Sequence, residues 1–170
     1  MRAMFKHRGE VNSVAFSRDG RSLVAASDDR SVRVWNIRDG SSKKLPVADD
    51  PGYFLSVVFS PDGRYIAAGD TEHSLWIWDS LTHKLVANWM GHGGWVWCVE
   101  FMPDGKGLMS GSWDMTVKYW DVSSLGIHGT ASGRVVGNDE HSFPLIRTFS
   151  GYSVRFIYFT TCILSRLPHL

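Results

Sequence analysis

The chain has 170 residues, enough to bury one ordinary core. Its 18 basic and 17 acidic residues nearly cancel, so the electrostatic footprint of a direct nucleic-acid binder is missing. Two cysteines, Cys98 and Cys162, make no disulfide framework and lack metal-ligand spacing, and the longest apolar-leaning run, residues 156–164, is too short to span a bilayer.

In chain order, residues 1–5 read as the remnant of a strand leading into Lys6-His7. Val11, Val14 and Phe16 are expected to supply the inner face of a first strand. Asp19-Gly20 turns the chain, a second strand returns over 23–27, and Val32-Arg33-Val34-Trp35 is a third. A turn cluster at 39–42 leads to a strand over 43–47, then to a loop with Asp49, Asp50 and Pro51. Phe54, Val57 and Phe59 open the next run, Asp62-Gly63 turns it, and 75–79 closes it. The strand over 84–89 precedes Gly91-His92, and the β-branched and aromatic run Trp95-Val96-Trp97-Cys98-Val99-Glu100-Phe101 follows. Asp104-Gly105 is its hairpin turn, 107–112 the return, Asp114 the next turn residue, and 116–120 a third strand. Residues 122–143 carry no strand pattern and are expected to form a surface insertion, after which 145–151 reads as a strand again.

The sequence slides onto itself. Phe16, Phe59 and Phe101 align, as do the three Asp-Gly turns, and as do Trp35, Trp78 and Trp120, at offsets of 43 and 42 residues. A period of about 40–45 residues, with Gly-His in front and Trp-Asp behind, marks a propeller blade. On these residues the chain resembles the WD40-repeat family. The resemblance implies an all-β fold of WD40 β-propeller blades, partial and open: three blades plus the start of a fourth. Residues 1–151 are expected to hold the repeats, in copies of about 5–36, 45–79 and 85–121. Strand d of a next blade is expected at 145–151, and 152–170 departs from the pattern as a tail. The tail reads either as a genuine C-terminal segment that packs on the last blade or as foreign sequence in a truncated or mis-spliced frame that replaces further blades, and the second reading is preferred.

The resemblance also implies a hydrogen-bonded chain at four residues of the best copy: Asp114 to His92, His92 to Ser110, and Ser110 to the indole of Trp120. The types suit it, since a carboxylate only accepts, a hydroxyl does both and an indole N–H only donates. Copy one keeps His7, Asp29 and Trp35 but has Ala25 in place of the serine. Copy two keeps Trp78 alone, with Asp50, Ala68 and Glu72 at the other stations, and is expected to be the least locked. A Ser–His–Asp hydrolase triad is the sharper alternative. The repeat register gives all three residues a fold-holding role, and no oxyanion-hole motif accompanies them.

No phosphate-cradling loop, metal cluster or paired-carboxylate motif is present in the sequence, so no enzyme, cofactor or metal is expected. The family instead uses the face bearing the His and Asp loops to bind peptide segments of other proteins. Residues projected there are Asn12 in copy one; Tyr53, Leu55 and His73 in copy two; and Trp95, Trp97, Trp113 and Met115 in copy three. Trp97 and Trp113 are the first choices, because rim aromatics bury large area at low entropic cost. The runs 7–14 and 61–69 and the insertion after copy three are similar to the C-terminal propeller of fungal Tup/Groucho-type transcriptional co-repressors. That narrower resemblance implies docking of DNA-bound repressors. The alternatives are a ubiquitin-ligase substrate adaptor, a signalling scaffold, or a gene model without independent function. Partners are therefore other proteins, with neither direct nucleic acid nor membrane. With no signal-peptide pattern and no N-x-S/T acceptor, the expected setting is intracellular, nuclear or cytoplasmic. An open array should also leave an apolar side uncovered on its first and last blades, so self-association through those open blades is expected.

Overall fold

The computed structural model describes residues 6–48, 50–126 and 145–150. The stretch 1–5, Asp49, most of the expected insertion and the tail at 152–170 lie outside the described residues.

The described residues form three four-stranded antiparallel sheets. The first is β1 (Val11–Phe16), β2 (Ser22–Ser27), β3 (Ser31–Asn36) and β4 (Ser42–Lys44). The second is β5 (Phe54–Phe59), β6 (Tyr65–Asp70), β7 (Ser74–Asp79) and β8 (Leu85–Met90). The third is β9 (Val96–Phe101), β10 (Gly107–Ser112), β11 (Thr116–Asp121) and β12 (Leu145–Ser150). Each is a meander with its first strand inside and its last outside. The described residues are all-β but for a short 3-10 turn at Ser123–Gly126, and the three sheets pack in an open row like the blades of a partial propeller.

The hairpins form where the sequence places Asp-Gly. Gly20, Gly63 and Gly105 take φ of 67°, 76° and 71°, a left-handed backbone that a side chain would strain. The aspartate before each glycine accepts from the backbone N–H two residues ahead of it: Asp19 from Arg21 at 3.0 Å, Asp62 from Arg64 at 3.0 Å and Asp104 from Lys106 at 2.9 Å. Trp35, Trp78 and Trp120 stand at one station, opposite Leu23, Ile66 and Leu108 of the neighbouring strand, and all three are buried.

The repeat in the sequence and the sheet in space are offset by one strand. Leu85–Met90, read with the third copy, pairs with β7 and belongs to the second sheet. Leu145–Ser150, read as strand d of a next blade, pairs with β11 as the outer strand of the third. The physical reason is chain direction. An outer strand must run antiparallel to the third strand it follows, so the loop with Gly-His crosses to the next sheet only after it.

Alternation then builds two cores. Val24, Ala26, Val32 and Val34 of the first sheet pack on Phe54, Val57, Ile66, Ala68, Trp76 and Trp78 of the second. The other face of the second sheet, with Tyr65, Ala67, Leu75, Ile77 and Trp89, packs on Val96, Val99, Phe101, Leu108 and Trp120 of the third. Val11, Val14 and Phe16 differ from expectation: they are 50%, 56% and 65% exposed. Their counterparts Val57, Val99 and Phe101 are buried because a preceding sheet lies over them. Among the described residues nothing lies over β1 on that side.

Candidate functional site

The loops before β1, β5 and β9 and the turns after β2, β6 and β10 share one edge of the sheets, and the polar residues holding them decide its shape. In the third sheet His92 Nδ1–H donates to Asp114 Oδ2 at 2.8 Å. The neutral ring therefore accepts at Nε2 from the Ser110 hydroxyl, 2.7 Å away. Ser110 Oγ in turn accepts from Trp120 Nε1–H at 2.8 Å. The structure thus brings His92, Ser110, Asp114 and Trp120 into one chain. His92 is buried, and burial pushes its pKa down against the opposing pull of Asp114, which keeps the ring neutral. Asp114 is partly buried, which raises its pKa, but hydrogen bonds from Thr116, the Gly93 N–H and His92 outweigh this and hold it well below the usual carboxylate range.

Thr116 is a member the four-residue motif misses. Its hydroxyl donates to Asp114 Oδ1 at 2.6 Å. Ser31 and Ser74 occupy the same column, two residues after the turn acid. Ser31 donates likewise to Asp29, so the recurrence was visible in the sequence.

The first sheet keeps a shorter version. His7 Nδ1 donates to Asp29 Oδ2 at 2.9 Å, and the His7 ring meets Trp35 edge-on at 5.0 Å between centroids. With Ala25 in place of a serine, His7 Nε2 is buried with no hydrogen-bond partner. Partial burial raises the Asp29 pKa, but Ser31, the Arg8 N–H and His7 overcome it and bring it down to about 2.

The second sheet is locked by other residues than expected. Trp78 joins no His–Ser–Asp chain; its Nε1–H donates to the Pro46 carbonyl at 2.6 Å. Asp70 takes over instead. Fully buried, it accepts from Trp76 Nε1–H at 2.8 Å and from the backbone N–H of Glu72 and Ser74 at 2.9 Å each. Burial raises its pKa, with these donors opposing. The signal was Asp70 in a column that holds Ser27 and Ser112 in the other copies. It was missed because the motif's four stations in this copy, Asp50, Ala68, Glu72 and Trp78, pass over position 70.

On the rim these locks support, three indoles gather. Trp95 and Trp113 stack at 4.4 Å with planes 9° apart, and Trp97 leans on them at 6.1 and 5.7 Å. Trp95 is 37% and Trp113 57% exposed, and Met115 beside them is 69% exposed. The turns after β2, β6 and β10 raise Arg30, His73 and Met115 at φ of 59°, 66° and 64°, an uncommon backbone for such residues. Half-exposed Tyr53 lies under the Arg30 guanidinium at 5.5 Å. The remaining candidates are placed differently. Leu55 is buried at 6% exposure and so does not stand on the rim, although it sits at the same irregularity of pairing as Asn12 and Trp97. Asn12 donates from Nδ2 to Asp28 at 2.6 Å and to the Phe54 carbonyl at 2.9 Å, tying the first sheet to the second.

Among the described residues, no group of three or more His, Cys, Asp and Glu side chains is arranged to hold a metal ion, and no helix is long and apolar enough to cross a membrane.

Known proteins share this arrangement. The model of the WD domain, G-beta repeat matches residues 2–36, 47–79 and 83–121. The chain is 34% identical over 127 residues to a guanine nucleotide-binding protein subunit beta of Nicotiana tabacum, over 70% of this chain and 34% of that protein. It is 35% identical over 124 residues to a poly(A)+ RNA export protein of Schizosaccharomyces pombe, over 71% of this chain and 23% of that protein. The solved WD40 repeats of RRP9 superpose with a TM-score of 0.70 at 23% identity, over 86% of this chain and 40% of that one, a likeness of fold alone. The chain spans about a quarter to a third of the length of these curated relatives. The three matched segments cover more than half of the chain, and each holds the first three strands of one sheet, the third segment also taking in β8, so the chain belongs to the WD40-repeat family.

Proposed function

We propose that this chain is a docking platform for peptide segments of other proteins, which contact the rim at Trp95, Trp97, Trp113 and Met115. The observation that carries the reading is the stacked, exposed Trp95–Trp113 pair. Large indoles left in water at a rigid edge are what an interface core uses, since they bury area with few torsions to freeze. The fold supports it: WD40 propellers are generally scaffolds, and the His92–Asp114 lock fixes the two loops that present the indoles. Tyr53 and His73 extend the same rim on the second sheet.

The test starts from a random dodecapeptide display library panned on the immobilised chain. Selected peptides should lose at least tenfold in affinity for Trp113→Ala, with circular dichroism and melting unchanged because that side chain is exposed. Peptides that bind Trp113→Ala as well as the parent would sink the reading. The narrower proposal is a partner of the kind a Tup/Groucho-type co-repressor docks. It rests on the runs 7–14 and 61–69 and the insertion, whereas the tobacco and fission-yeast relatives favour a signalling or RNA-related scaffold equally. Peptides from DNA-bound repressors that fail to compete with the selected binders would dismiss it.

A further inference from the structure

Each sheet has two unlike faces. The indole face carries Trp35, Trp78 or Trp120; the other, mainly aliphatic face carries residues such as Val24, Val32 and Val34, or Ala67, Leu75 and Ile77, with Tyr65 and Trp89 beside them in the second sheet. Both contacts inside the chain are of one kind, the aliphatic face of one sheet against the indole face of the next. A hydrogen bond repeats across them: Val57 N–H donates to Ser13 Oγ at 3.2 Å, and Val99 N–H donates to Ser56 Oγ at 3.1 Å.

Among the described residues two half-contacts are left over. On the indole face of the first sheet, Val14 and Phe16 are 56% and 65% exposed, where Val99 and Phe101 of the third are 2% and 4%. On the aliphatic face of the third sheet, Met109, Val117 and Tyr119 are half-buried, at stations where Val24, Ala67, Val32, Leu75 and Ile77 are fully buried. One leftover is the complement of the other. A symmetric contact of like faces would set indole face on indole face, a packing found nowhere among the described residues. A head-to-tail contact repeats a packing found twice.

We propose that a second copy of this chain covers these faces, the aliphatic face of one third sheet docking on the indole face of the other copy's first sheet. The three described sheets of each copy then close head to tail into a ring of six, within the range of four to eight at which propellers close. Closure is what separates this pair from an open filament of the same contact.

The full 170-residue chain is measured by size-exclusion chromatography with light scattering at micromolar concentration. A discrete species of twice the chain mass is expected; a monomer, or an open-ended series of masses, overturns the proposal. Phe16→Asp blocks the indole face and Val117→Asp the aliphatic face, and each alone should give monomer with unchanged circular dichroism. Mixed in equal amounts, the two variants should recover a one-to-one pair, because one intact contact remains between them. A mixture that stays monomeric overturns the head-to-tail geometry. Should Val117→Asp fail to fold, Met109→Glu, on the same face, takes its place in the mixture.

Discussion

At the scale of single residues, protonation decides how the rim loops are held. The Asp114 and Asp29 carboxyls titrate below the ordinary 3.8 because donors converge on them, so the unfolded chain binds more protons in that window. Their contribution is present above about pH 4 and is lost as pH falls through the folded values, for Asp29 towards about 2. His92, lowered by burial, adds a loss with the same sign beginning near its ordinary 6.5. Asp70 works the other way, since its raised pKa favours the protonated folded state. The urea midpoint should therefore drop on acidification below pH 4, and Asp114→Asn should flatten that slope while lowering the midpoint at pH 7. An unchanged slope would mean Asp114 is not its source. The serine station offers a second comparison. Ser110→Ala orphans His92 Nε2 and Trp120 Nε1 and should cost about 1–3 kcal/mol. Ala25→Ser gives the buried His7 Nε2 a donor and should gain about 0.5–1.5 kcal/mol in urea denaturation. If both changes were neutral, the hydroxyl would not be what holds the lock.

Between elements, the close approach of sheets matters more than any single hydrogen bond. A Cβ on Gly69 would lie 2.5 Å from Val96 Cγ1 and 2.8 Å from its Cβ, with Val96 fully buried between the second and third sheets. Gly69→Ala should destabilise by about 1–3 kcal/mol, the usual cost of overpacking, and Val96→Ala in the same chain should recover part of it. A double variant no better than Gly69→Ala would refute the steric account. This contact shows where sequence reading stops. Strands, Asp-Gly turns and the column of Trp35, Trp78 and Trp120 were legible because each depends on local pattern and period. The four-membered chain of Asp114, His92, Ser110 and Trp120 was legible because a repeat fixes which distant residues share a station. Asp70 was not, since it solves the same problem from another column. The burial of Leu55 was not, since Asn12 and Trp97 share its station and its irregular pairing yet are not buried, so the station alone does not decide what covers a side chain. Nor was the exposure of Val14 and Phe16: alternation tells which face a side chain is on, not what covers that face.

For the molecule as a whole, the uncovered faces connect stability to concentration. Among the described residues the second sheet is packed on both sides, whereas the first and third are packed on one, so the outer two lack apolar burial that the middle one has. If a second copy supplies that burial, folding and association become one equilibrium, and the melting temperature follows protein concentration by mass action. Each tenfold rise in concentration adds about 1.4 kcal/mol per pair. Set against an unfolding entropy of about 2.1 cal/mol/K per residue over both chains, that is about 2 °C in Tm. Phe16→Asp should abolish the dependence and melt near the dilute limit of the parent, since its site is already exposed in one copy. Scanning calorimetry across two decades of concentration reads both. A parent Tm that stays constant would show that each chain is stable with its faces in water, and the two outer sheets would then owe their order to the middle one alone.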